Sequence, residues 1–204
     1  MKSKLICQPI SKVLTRSEIR RVILVNRKAR SHAIKTRRKT PVIDWMALNL
    51  HLWGLRLSEC IHLKCGQIHR DYIALQKTKG NKPRDVVISP RFYRMILEHL
   101  TWKQSLGESV GDDDYLFYSH KRNGHYSQQG FAKMFKRAIA RAGIDKPLTS
   151  HCGRHTLASH NSLVFSQPQL GHADVRTTQI YTHVLDSLKE AQKYGKILYS
   201  VLEE

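Results

Sequence analysis

The stretch that most limits how this chain can fold is PVIDWMALNLHLWG, residues 41–54. Pro41 suits the first turn of a helix, where a missing N–H costs little. Val42, Ile43, Met46, Ala47 and Leu50 recur at helical spacing on one face, so the helix is expected to be buried and to end near Gly54. Before it, Thr15 and Glu18 form a capping box ahead of Ile19, Val22 and Ile23, which predicts a helix over about 16–28. After it, LSECIHLK reads as a short helix. Then the period changes. DYIALQK and RDVVIS are strand-like and are joined by the Gly/Asn/Pro turn TKGNKP, which predicts a β-hairpin with a basic tip. Helices are expected at about 90–106, 128–142, 150–160, 174–181 and 185–202, with YLFYS a short strand or extended piece. The segment 161–171 contains Pro168 and Gly171 and is expected to be irregular at least in part. The fold class is therefore α+β, mainly α-helical with a small antiparallel β-sheet or hairpin.

Charge points to a partner. The 204 residues hold 35 Lys+Arg against 16 Asp+Glu, a net +19, and a surplus of that size favours a polyanion. Nucleic acid is the first candidate and an anionic membrane the second. No apolar run is long enough to span a bilayer, and MKSKLICQPISK has too short an apolar stretch for a signal peptide. Cys7, Cys60, Cys65 and Cys152 form no secreted framework and read as reduced thiols, which suits a cytoplasmic protein. Residues 1–40 hold thirteen Lys or Arg against Glu18 alone. The densest part is Arg27, Lys28, Arg30, Lys35, Arg37, Arg38 and Lys39, a stretch expected to contact phosphates, the plainer alternative being a mobile basic arm.

Several positions stand out if the partner is a phosphodiester. Arg56 lies in GLRLSE, Lys79 at the hairpin tip, His151 and Arg154 three apart in H-x-x-R, His172 after Gly171, and Tyr181 nine residues later in TTQIYTHV. Each alone is ordinary, but their order and spacing are not. LHLWGLRLSECIHLKCGQI, LQKTKGNKPRDVVIS, LTSHCGRHTLAS and LGHADVRTTQIYTHV together resemble the tyrosine recombinases, the phage-integrase and Xer family.

That resemblance implies a catalytic domain over 11–185, a 1–10 extension and a C-terminal helix, 186–204, of a kind the family often exchanges between protomers. It implies double-stranded DNA as partner and four protomers on two duplexes. It implies site-specific cleavage and rejoining through a 3′-phosphotyrosine on Tyr181, with no metal, ATP or other cofactor. Arg56 and Arg154 would hold the non-bridging oxygens with bidentate donors, and His172 would add a third hydrogen bond. His151 would accept or orient a proton, and Lys79 would protonate the leaving sugar oxygen. Glu59 would orient a guanidinium or a histidine, or else be a helix-surface acid. Asp112, Asp113 and Asp114 are adjacent in a loop and read as solvated. Cys60, His62, Cys65 and His69 fit no zinc-finger spacing.

Three departures from the family are expected to matter. No separate N-terminal DNA-gripping domain precedes residue 11. The Arg154–His172 segment is short. Gly153 stands where an apolar residue is usual, and it would loosen its helical turn by roughly 1 kcal/mol. The alternative function is a catalytically silent DNA-binding regulator of the same fold. A type IB topoisomerase would share the chemistry but not the Xer-like motifs.

Overall fold

The computed structural model describes residues 12–76, 83–161, 163–170 and 182–202. Helix α1 (Arg16–Lys35) opens on the expected capping box, in which Thr15 Oγ1 accepts from the Glu18 N–H at 3.3 Å and Glu18 Oε2 accepts from the Thr15 N–H at 2.8 Å. It continues well past residue 28, because Ala33 still meets the core. The basic stretch is thus not a mobile arm: residues 27–35 are helical, and a short connection at 36–38 leads into α2 (Lys39–Leu52). Arg30 pairs with Glu98 at 3.0 Å and Lys39 with Glu108 at 2.9 Å.

Helix α2 is the centre of the fold. Its buried residues include Trp45, Met46, Ala47, Leu48 and Leu50, and α1, α5 and α6 pack around it. Burial goes all round this helix, beyond the single apolar face the sequence displays. Asp44 is tolerated inside because Arg137 and Arg141 of α5 (Gln128–Arg141) meet it with hydrogen bonds of 2.6–3.2 Å. Arg141 also reaches Asn26 of α1, which donates to the Ala138 carbonyl at 2.9 Å.

Helix α3 (Leu57–His62) follows α2 after a tight turn at Gly54. Strands β1 (Tyr72–Leu75) and β2 (Arg84–Val87) pair antiparallel, Tyr72 opposite Val87 and Leu75 opposite Arg84. Ile73, Leu75 and Val86 turn inward, as the alternating pattern requires. Helix α4 (Pro90–Ser105) is capped by Ser89 and starts on Pro90. A two-residue pair, β3 (Tyr118–Ser119) with β4 (Gly124–His125), precedes α5. Helices α6 (Cys152–His160), α7 (Leu163–Leu170) and α8 (Thr182–Tyr199) complete the order.

One expectation changes. Residues 163–170 form a helix within a segment expected to be irregular at least in part, and that helix continues through Pro168 although proline removes one backbone bond. Within the single chain, the C-terminal helix packs on the core. Tyr194 and Tyr199 are fully buried; the Tyr194 hydroxyl donates to the Leu52 carbonyl at 2.9 Å, and Trp53 Nε1 donates to the Tyr199 hydroxyl at 2.9 Å. Trp53 stacks on Phe92 and meets Tyr194 edge-on, which closes the core over α2. The helix expected at 174–181 lies outside the described residues.

Candidate active site

Arg56 stands at the N-cap of α3, fixed there by the chain reversal at Gly54. Gly54 has φ +87°, and a side chain there would press on Leu157 and Leu170, so glycine is needed twice over. Glu59, at the third position of α3, reaches back to the Arg56 N–H at 2.6 Å and accepts from Arg56 Nη1 at 2.8 Å. Its side chain is 1% exposed, which rules out the helix-surface alternative.

Arg154 comes from the opposite half of the chain. It is brought in by α6, whose first turn crosses the end of α2. Gly153 permits that crossing, since a Cβ there would run into the carbonyl of His51. The glycine that looked like a loosened turn is a close-contact residue. Arg154 donates to the Gly54 carbonyl and, at 2.7 Å, to the Leu170 carbonyl at the end of α7. Arg56 Nη2 donates to the same Leu170 oxygen at 3.0 Å. Two guanidiniums 98 residues apart therefore converge on one oxygen.

A third arginine, which the sequence reading did not single out, joins them. Arg84 of β2 grips Glu59 with Nη1–Oε1 at 2.5 Å and Nη2–Oε2 at 2.9 Å, and donates from Nε to the Gln169 carbonyl at 3.1 Å. No local pattern marks an arginine in a strand as a partner for a glutamate 25 positions earlier.

Three cations and one carboxylate leave the cluster strongly positive. Burial lowers the Arg154 guanidinium to about 10, and repulsion from Arg56 and Arg84 adds to that, so it remains a cation at neutral pH. Burial alone would raise the Glu59 carboxyl, but Arg84 and Arg56 overcome it and hold it below the ordinary glutamate range. Such a group is suited to binding a tetrahedral oxyanion through planar donors.

His151 lies at the N-cap of α6 and is exposed. His155, one turn on, is lowered by burial and by the charges of His151, Arg154 and Lys12. The start of the described chain is thus beside the site: the Leu14 N–H donates to Thr156 Oγ1 at 3.1 Å, and His160 pairs with the Leu14 carbonyl at 2.8 Å. Of the basic residues 27–39, Arg27 donates to the Leu202 carbonyl at 3.3 Å, Arg30 pairs with Glu98 and Lys39 with Glu108, none of them a group of the arginine cluster. Arg56, Glu59 and Arg154 come together; Arg27, Lys28, Arg30, Lys35, Arg37, Arg38 and Lys39 do not join them. Lys79, His172 and Tyr181 lie outside the described residues.

Cys60 and Cys65 are buried, and burial raises both thiols. His62 pairs with the Ser58 carbonyl at 2.7 Å and His69 packs on Tyr72. Among the described residues no helix is long and apolar enough to cross a membrane.

Comparison with known proteins supplies the family. The model of the phage integrase family matches residues 12–187. The tyrosine recombinase XerD of Brucella abortus is 39% identical over 144 residues, covering 67% of this chain and 46% of that protein. XerD of Listeria innocua is 34% identical over 142 residues, covering 66% and 48%. The chain spans about half the length of the curated relatives it matches. Among solved structures, the XerA recombinase superposes with a TM-score of 0.61 at 25% identity, covering 97% of this chain and 66% of that one. XerH in a post-cleavage complex with its difH substrate gives 0.63 at 21% identity, covering 96% and 54%, a likeness of fold. The chain belongs to the phage integrase family, the tyrosine recombinases.

Proposed function

We propose that this chain is the catalytic part of a site-specific DNA recombinase that cuts and rejoins double-stranded DNA through Tyr181, without metal or ATP. The observation that carries this reading is the convergence of Arg56 and Arg154 on the single oxygen of Leu170. A non-bridging phosphate oxygen presented there would receive the same two donors, at the place where negative charge grows during attack on phosphorus.

The step balances without a cofactor. The Tyr181 oxygen bonds to phosphorus and the bond from phosphorus to the 5′ oxygen breaks. The phenolic proton passes to His151 or to water it orients, and the leaving 5′ oxygen takes a proton from Lys79. The phosphotyrosine keeps the energy of the bond, so a 5′-hydroxyl can reverse the step on a new strand. His172 follows Leu170 by two residues in the chain and is assigned the third hydrogen bond to the phosphate. Assembly of four protomers on two duplexes is part of the same proposal, as is action in the cytoplasm. The basic face of 27–39 would add salt-sensitive contacts away from the scissile phosphate.

The test uses nicked duplexes with a randomised core, incubated with the protein in EDTA and then denatured. A covalent protein–DNA adduct, absent with Tyr181→Phe, is expected. No adduct from any sequence, with DNA binding intact, would support the silent regulator instead.

A further inference from the structure

Glu59 offers two carboxylate oxygens, and three donors from two arginine side chains compete for them. Arg84 takes the planar, two-toothed grip. Arg56 is left with one side-chain bond, at 2.8 Å, besides its backbone N–H. Were Arg56 the sole partner, the carboxylate would turn to receive its whole fork and neutralise it, because a bidentate ion pair is the strongest arrangement open to the two groups. Arg84 prevents this. It satisfies the carboxylate, leaves Arg56 Nη2 free to point at the site, and keeps a net positive charge there.

Arg84 also links two elements that flank the site. Its Nε donates to the Gln169 carbonyl of α7. The Gln169 side chain clasps β2 in turn: Oε1 accepts from the Val87 N–H at 2.7 Å, and Nε2 donates to the Val87 carbonyl at 2.7 Å. This reproduces the pattern of a neighbouring strand. Gln169 precedes Leu170, whose carbonyl receives both Arg56 and Arg154. β2, α7 and the two phosphate-holding arginines are therefore joined by one continuous set of hydrogen bonds, in which Arg84 ties β2 to both Glu59 and α7.

We propose that Arg84 is a positioning residue for the scissile-phosphate site, aligning Arg56 through the shared Glu59 carboxylate and tying that alignment to the docking of β2 on α7. The proposal rests on the reading of Arg56 as a phosphate-holding group. Arg84 is 9% exposed at its side chain, so it acts through Glu59 rather than on DNA directly.

The test compares Arg84→Lys and Arg84→Ala with the unaltered protein on a nicked duplex selected by that protein. Arg84→Lys keeps the charge and loses the fork. At saturating DNA, Arg84→Ala is expected to slow single-turnover cleavage about 100-fold, the scale of a 1 Å misplacement. Arg84→Lys should fall between the two, with the Kd for the duplex unchanged in both. Arg84→Ala and Glu59→Gln should be non-additive. A saturated rate that does not change, or a loss that disappears when more DNA is added, overturns the proposal.

If Arg84→Ala does not fold, the lysine variant decides. A second readout is independent of cleavage: nitrogen NMR of the Arg56 guanidinium in the DNA-free protein. The Arg56 Nη signals should shift in Arg84→Lys, as its second Nη turns from the Leu170 carbonyl to the Glu59 carboxylate, and unchanged signals overturn the proposal. Failure of the unaltered protein to form an adduct would instead count against Tyr181 chemistry, with the NMR result still judging Arg84.

Discussion

Gly153 of α6 lies against the backbone carbonyl of His51, at the end of α2, so closely that a methyl group has no room. This contact sets the depth at which Arg154 enters the site. It also reverses a sequence-level expectation. Helix propensity alone says that Gly153→Ala should stabilise the domain by about 1 kcal/mol. The contact says that α6 must move away from α2, with a loss of about 1–3 kcal/mol. Urea denaturation reads the sign, and cleavage should fall with it because Arg154 moves.

Asp44 is wholly buried between Arg137 and Arg141, but its two partners are not equally committed: the Arg137 side chain is 42% exposed and Arg141 25%. Asp44→Ala should cost about 1–3 kcal/mol, since it strips both arginines and Asn26's network of their anchor. Arg137→Ala should cost less, because Arg141 remains on the carboxylate. A larger loss for Arg137→Ala than for Asp44→Ala would contradict this ordering. Denaturant midpoints of the two variants decide it.

Stability should also fall as the solution becomes mildly acidic. His51 and His99 are fully buried, and burial lowers them to about 4 and about 3. One ring nitrogen of each has no partner among the described groups. A histidine depressed in the folded state contributes its stability above the unfolded value, near 6.5. It loses that stability as pH falls, because the unfolded chain takes up the proton first. From pH 6.5 to 5 the loss should be about 2 kcal/mol for each histidine. Urea titrations at the two pH values should show it, and His51→Gln with His99→Gln should flatten it. Glu59 acts in a lower window: its carboxyl is depressed, so its contribution goes only below the ordinary glutamate range.

The docking of α8 on its own core predicts unfolding that does not depend on protein concentration. Tyr199 accepts from Trp53 and donates to Asn49 Oδ1 at 2.8 Å, both inside the domain. Tyr199→Phe should therefore cost about 1–3 kcal/mol by leaving two buried polar groups unpaired. The denaturation midpoint should be the same at low and high protein concentration. A midpoint that rises with concentration would show the helix exchanged between protomers.

The sequence made Arg56, Glu59 and Arg154 legible because each belongs to a local motif whose spacing survives without the fold. The buried helix at 41–54 was legible for the same reason, through its apolar spacing and its terminal glycine. Arg84 was not, because its role depends on strand pairing and on a helix 85 residues away. Helix α7 was hidden by Pro168, a residue that breaks helices when nothing else holds them; here Gln169 and Leu170 are fixed by β2 and by two arginines. The basic stretch is legible only as charge, and its expected contact with phosphates depends on a DNA partner rather than on any spacing within the chain. Gly153 was misjudged because propensity describes one helix, whereas its neighbour is another.

The account stands or falls on where DNA becomes attached. The most direct measurement digests the denatured adduct with protease and nuclease and locates the nucleotide by mass spectrometry. The expected result is a single 3′-linked nucleotide on Tyr181, formed in EDTA and lost in both Arg56→Ala and Arg154→Ala. A nucleotide on another residue, or an adduct that persists without either arginine, would contradict it.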